Sequence, residues 1–144
     1  MQQMSENMDN YIWTKIRDLQ QLEQIRMDAM NVFLNDFETG LSEGRYRYHE
    51  LPNCLPVEEN YYDIGLSSHF LLLYTQLGFD FHVKAIEEMM RVCKEVRIFP
   101  VVDLDANQAD MISDVIDEFK KKYDVELKET NYQFKKNKML VIRK

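Results

Sequence analysis

The run Tyr62-Asp63-Ile64-Gly65-Leu66-Ser67-Ser68-His69-Phe70-Leu71-Leu72-Leu73-Tyr74 decides how the chain is read. Its first half suits a buried strand that stops at a small polar cluster, Ser67-Ser68-His69, and an apolar segment suited to a helix follows. Open α/β sheets present polar groups to ligands in this way, in the crevice beyond the carboxyl ends of their strands. A second strand pattern, Glu95-Val96-Arg97-Ile98-Phe99-Pro100-Val101-Val102, comes after a helix pattern. A cofactor-binding sheet of this class also carries a glycine-rich turn after its first strand. Gly40, Gly44, Gly65 and Gly78 are scattered and make no such turn.

Working outward, Met4, Met8, Ile12 and Ile16 recur every four residues, and Leu22, Ile25, Ala29, Phe33 and Phe37 continue the apolar stripe. This predicts a helical lead-in over residues 1–44, long or broken, running to about Leu41. Tyr46 and Tyr48 alternate with Arg45, Arg47 and His49 as in a short strand, and Leu51 to Asn60 is turn-like. A strand over Tyr61 to Ser67 follows. Asp80 can cap a helix bearing Val83, Ile86, Met89, Met90 and Cys93, which leads into the strand Val96 to Val102. Asn107 with Asp110 reads as the start of a helix bearing Ile112, Val115, Ile116, Phe119 and Tyr123. Strands Val125 to Lys128 and Met139 to Arg143, with a turn at Lys135 to Asn137, are close enough to form an antiparallel hairpin. The expectation is one α/β domain, residues 1–144, with about five strands flanked by helices.

With 144 residues, 45% of them hydrophobic and 12% aromatic, the chain can fold as one globular domain. Its 18 basic and 25 acidic residues leave a formal charge of −7, which disfavours nucleic acid and anionic membranes as partners. Lys120-Lys121-Lys122 and Lys135, Lys136 and Lys138 read as solvated charges at a helix end and in a turn. Cys54 and Cys93 lie far apart, and neither they nor His49, His69 and His82 have metal-ligand spacing. With no secretory segment and no run of about 18 apolar residues, a reduced cytoplasmic protein without a metal is expected. Phe70 to Tyr74 reads mainly as core. Arg91 and Arg97 should pair with Glu87, Glu88 or Glu95 at the surface, for about 0–1 kcal/mol each.

Read together, Tyr62 to Tyr74, Phe81-His82, Arg91-Val92, Glu95 to Pro100, Tyr132-Gln133-Phe134 and Met139-Leu140-Val141-Ile142 resemble the second half of a bacterial family of class I S-adenosylmethionine-dependent methyltransferases. Phe37-Glu38-Thr39-Gly40, Gly44-Arg45-Tyr46, Leu51-Pro52 and Leu55-Pro56 resemble the same family, so the likeness runs over nearly everything from about Tyr11. It implies an incomplete Rossmann-like sheet. The family has seven strands in the order 3-2-1-4-5-7-6. Tyr46 to Glu50 matches the third, Tyr61 to Ser67 the fourth and Val96 to Val102 the fifth, while the first two strands and their glycine loop have no counterpart.

The resemblance further implies S-adenosylmethionine as cofactor. His49, Glu50 and Leu51 correspond to the segment near its adenine, and Ser67, Ser68 and His69 to the segment near its sulfonium and the acceptor. Methyl transfer is an in-line displacement that needs positioning, with a base only where the acceptor must lose a proton. His69 has the suitable intrinsic pKa and is the candidate catalytic residue. Ser67 and Ser68 equally suit capping of a following helix, and His69 a hydrogen bond to a neighbouring loop. Lys135-Lys136-Asn137 stands where the family tends to have glycine.

Without the glycine loop, the resemblance implies no independent methyl transfer, and it leaves open whether a separate chain supplies the amino-terminal half. The alternative is a non-catalytic interaction module that self-associates as a homodimer, or binds a partner chain, through its sheet edge. A strand such as Ile64-Gly65-Leu66 suits the centre of a parallel sheet and should not remain at an open edge.

Overall fold

Gly65 lies opposite Val96 and Ser67 opposite Ile98 in a parallel ladder between β1 (Tyr62–Ser68) and β2 (Cys93–Phe99), the pairing on which the sheet is built. In this computed structural model, residues 16, 18–105, 107, 110–130 and 138–144 are described. Met4, Met8 and Ile12 of the helical lead-in, Tyr132-Gln133-Phe134 and the turn at Lys135 to Asn137 lie outside them. The described residues divide into two compact units, one ending at Tyr48 and the other beginning at His49.

The second unit contains an α/β arrangement around a mixed sheet. A parallel pair needs a crossover connection, and α2 (Phe79–Val92) supplies it between β1 and β2. After α3 (Asp110–Lys120), the strands β3 (Asp124–Glu129) and β4 (Lys138–Arg143) pair antiparallel, and β4 also pairs antiparallel with β2. The resulting order is β1-β2-β4-β3. One face carries Gly65, Val96, Ile98, Leu140, Ile142, Val125 and Leu127 in register. Ala85, Ile86 and Met90 from α2 and Ile112, Val115, Ile116 and Phe119 from α3 share a single buried core with it. The α3 residues fall at i, i+3, i+4 and i+7, a helix with one apolar stripe.

Several elements differ from the sequence-based expectation. Four strands are formed by the described residues, because the 46–50 segment is not a strand. Alternation alone supplies no partner ladder, and a lone strand has none of the cross-strand bonds that stabilise it. Tyr46 instead folds back onto α1 (Leu19–Ser42): its ring packs against Phe33 and Phe37, and its hydroxyl donates to Asp36 at 2.8 Å. A Cβ on Gly40 would lie 2.2 Å from that ring. Arg45 holds the same reversal with two bonds to Asp36, at 2.6 and 2.7 Å. Of the predicted α1 stripe, Leu22 is buried while Ile25, Ala29, Phe33 and Phe37 are exposed.

The 70–74 segment is a turn rather than the start of a helix, since His69 and Leu72 both have positive φ, +56° and +69°. Leu71 and Leu72 are fully buried, as core, but Phe70 and Tyr74 are partly exposed. Gly78, not Asp80, occupies the α2 N-cap position; Asp80 sits in the first turn, where its charge favours the helix dipole. β2 begins and ends three residues earlier than the predicted Val96 to Val102, as Pro100 cannot donate to a ladder. Finally, β1 is not a buried strand. Among the described residues nothing pairs with its outer side, and Tyr62, Ile64 and Leu66 are 40%, 48% and 73% exposed.

Gly65 matters because a Cβ there would lie 2.7 Å from Cys93 Sγ and 3.3 Å from Met89 Cε. Overpacking of this kind costs about 1–3 kcal/mol. Urea titration of Gly65→Ala should show that loss, and the same substitution in a Cys93→Ala background should cost measurably less. Equal cost in both backgrounds would show that the close approach to the thiol is not what requires glycine.

Candidate functional site

The polar cluster lies where the two parallel strands end. Ser68 is opposite Phe99, and the His69 N–H donates to the Phe99 carbonyl at 2.7 Å, which extends the ladder by one residue. The His69 ring packs edge-on against the Phe99 ring, with centroids 5.6 Å apart. Ser68 Oγ and His69 Nδ1 are 2.8 Å apart and share one hydrogen. When the Ser68 hydroxyl donates, the imidazole proton is on Nε2; when Nδ1–H donates, Nε2 has the character of a base. Ser67 faces the turn instead, its hydroxyl accepting from the Leu71 N–H at 3.3 Å. That is a capping role, here for a turn rather than a helix.

His49, Glu50 and Leu51 lie on a different loop. His49 Nε2 is 2.9 Å from the Asn53 carbonyl, the Asn53 N–H donates to the Glu50 carbonyl, and Leu51 packs against the core. The structure brings Ser68 and His69 into contact and holds His49, Glu50 and Leu51 by bonds within their own loop and by the core. Further along that loop, residues 55–57 are clamped by the last turns of α2. The Glu88 carboxylate accepts from the Leu55 N–H at 2.7 Å and from Arg91 Nε and Nη2 at 2.8 and 2.7 Å. Arg91 in turn donates to the carbonyls of Val57 and Leu55, both at 2.9 Å.

Arg91 and Glu88 are therefore not the weak surface pair the sequence suggests. Glu88 is 8% exposed, and the Arg91 guanidinium holds its carboxyl below the usual range despite the opposing effect of burial. Arg97 does pair with Glu95, which also accepts from Arg143 across β2 and β4.

Sequence reasoning missed His82 as a structural participant. It is wholly buried; Nδ1 lies 3.4 Å from the Leu72 N–H, and Nε2 lies 3.1 Å from the Tyr74 carbonyl. Acceptance at Nδ1 places the proton on Nε2, and burial pushes the imidazole pKa below its ordinary value. A histidine in line with Ala85 and Ile86 on the apolar side of a predicted helix was the available signal.

Among the described residues, no group of three or more His, Cys, Asp or Glu side chains could hold a metal ion, and no helix is long and apolar enough to cross a membrane. No family model matches the chain, and no solved structure matches it. The chain is 31% identical over 139 residues to the uncharacterized protein MJ0045 of Methanocaldococcus jannaschii, a match covering 94% of this chain and 60% of that protein. The chain thus spans about three-fifths of the length of this relative.

Removing Glu88 leaves Arg91 and the Leu55 N–H without their shared acceptor. For a partly exposed clamp of this kind, Glu88→Ala should cost about 2–3 kcal/mol. Because the folded carboxyl titrates below its ordinary 4.5, the unfolded chain takes up the proton first as the pH falls. The contribution is complete above that value and is lost on acidification through the lower folded value. Urea midpoints of the two proteins should accordingly converge below pH 4.5. A gap independent of pH would exclude the ionised clamp.

Proposed function

We propose that the chain is the carboxyl-terminal part of a class I S-adenosylmethionine-dependent methyltransferase-like domain with an incomplete Rossmann-like sheet, and that it has no independent methyl transfer. Ser67, Ser68 and His69 are assigned to the sulfonium and acceptor side, and His49, Glu50 and Leu51 to the adenine side. The observation that carries this reading is the order β1-β2-β4-β3, with the last strand inserted before the one that precedes it. It corresponds to the 4-5-7-6 portion of the family order, and the polar cluster stands at the carboxyl end of the strand matched to the fourth.

The residues present fit part of such a cofactor. Ser68 and His69 offer polar groups at the carboxyl ends of parallel strands, the usual place for a ligand in an open α/β sheet. Bound S-adenosylmethionine supplies an electrophilic methyl group on sulfur. Ser68 orients the His69 ring, and His69 accepts the acceptor's proton where the acceptor carries one. A glycine loop and a ribose-binding acid are assigned to polypeptide outside residues 1–144. The outer side of β1 is the natural place for its first strand to pair. The relative, with two-fifths of its length unmatched, is consistent with a larger whole. Cys54 and Cys93 are both unpaired, which suits a reducing, cytoplasmic setting.

A second reading, a non-catalytic module that self-associates or binds another chain, is favoured by the exposed Tyr62, Ile64 and Leu66 on the same strand.

Calorimetric titration of the chain alone should show no useful affinity for S-adenosylmethionine, because few contacts would have to offset the full ordering cost of the ligand. Micromolar binding would overturn the proposal. Fusion to the unmatched portion of the Methanocaldococcus protein should restore binding. In that fusion, Ser68→Ala or His69→Ala should weaken it by about 1.5–3 kcal/mol, the worth of one hydrogen bond to a charged group. Lys84→Ala, at an exposed position of α2, should leave it unchanged. A fusion that binds and tolerates both site substitutions would reduce the cluster to a cap. One that never binds, beside a chain that dimerises in light scattering, would favour the interaction module.

A further inference from the structure

We propose that His82 is a positioning residue that holds the 69–74 loop in shape only as its neutral Nε2–H tautomer, so that protonation of His82 releases the loop bearing the candidate site. The loop needs such a holder. Its two positive-φ residues include Leu72, a side chain that rarely adopts the left-handed region. Backbone of this kind persists only where its surroundings over-determine it. Leu71 is fixed by its buried side chain and by the Ser67 hydroxyl. Leu73 and Tyr74 donate to the Phe70 carbonyl. The Leu72 N–H, however, turns inward to His82 Nδ1, while Nε2–H of the same ring reaches the Tyr74 carbonyl. One imidazole thus serves an inward-facing donor and an outer acceptor on the two limbs of the turn.

Only one protonation state does this. An imidazolium carries Nδ1–H, which would confront the Leu72 N–H as donor against donor, and the new charge would be buried beside Leu72 and Phe81. The charged neighbours on α2, Asp80 and Lys84, are exposed; in the loop His69 is engaged with Ser68, and Tyr74 is exposed. Burial and the Tyr74 carbonyl are the influences on the His82 proton, the first lowering its pKa and outweighing the second. Acid therefore works against the closed loop, since neither of these two influences is a carboxylate that would absorb the charge. The bearing of this on cofactor handling rests on the reading above; the latch itself does not.

Nitrogen NMR of the full, unmodified chain at neutral pH should show His82 protonated at Nε2 and bare at Nδ1. An Nδ1–H tautomer would overturn the proposal. Amide exchange, corrected for intrinsic pH dependence, should then show the Leu72 amide opening roughly tenfold more for each pH unit below 6.5 that closed-state His82 stays neutral. The sheet amides of Ile98 and Val141 should not follow. His82→Asn, whose amide oxygen can accept from the Leu72 N–H without titrating, should abolish the acid response. The same response in that variant, or parallel loosening of loop and sheet, would refute the latch. If the variant does not fold, the tautomer and the separate loop response of the unmodified chain still decide. None of these readouts involves S-adenosylmethionine. A chain that shows the latch but binds no cofactor when completed would retain this inference and lose the methyltransferase reading.

Discussion

The parallel ladder between β1 and β2 is the constraint on which the rest depends. A parallel pair joined through α2 sets both strands running the same way, so their carboxyl ends, Ser68 and Phe99, lie side by side. The bond from the His69 N–H to the Phe99 carbonyl also fixes which backbone groups face which way. By the alternation of a strand, Asp63, Gly65 and Ser67 direct their amides toward β2, while Ile64, Leu66 and Ser68 direct theirs away. The outward set meets no strand among the described residues. An edge unpaired among the described residues and a polar cluster therefore occur on one strand, and both follow from the same register.

α2 acts as more than a crossover. Its apolar residues close the core over β2, while two polar residues placed on buried positions act at opposite ends of the helix. Near its amino end His82 bonds to the backbone of the turn after β1; near its carboxyl end Glu88 and Arg91 bind the loop before β1. Both loops that lead into and out of the edge strand are thus fastened to one helix. Each fastening satisfies backbone groups that would be expensive to bury without partners. The two respond oppositely to charge: the Glu88 clamp requires an ionised side chain, whereas His82 must stay neutral.

The sheet was legible because its strands place apolar residues at alternate positions, as at Val96 and Ile98 or Val125 and Leu127, and two of its helices carry a single apolar stripe. Ile112, Val115, Ile116 and Phe119 fix both the period and the buried side of α3. Limits of individual elements were less legible, since Pro100 ends β2 and the left-handed Leu72 prevents a helix after β1. The 46–50 alternation misled because a strand is defined by its neighbour, and Tyr46 is taken up by α1. Ser67, Ser68 and His69 could be placed from a local pattern, the end of a strand. His82 and Glu88 could not, because their partners are loop backbone groups whose approach depends on the tertiary fold.

Hydrogen exchange resolved by residue along β1 tests most directly whether this strand offers an unpaired side to a completing one. In the chain alone at low concentration, the amides of Ile64, Leu66 and Ser68 should exchange quickly while those of Asp63, Gly65 and Ser67 are protected. In the fusion carrying the unmatched portion of the Methanocaldococcus protein, the outward set should become protected as well. Protection of all six amides in the dilute chain alone, or an unchanged pattern in the fusion, would contradict an edge that awaits a partner strand.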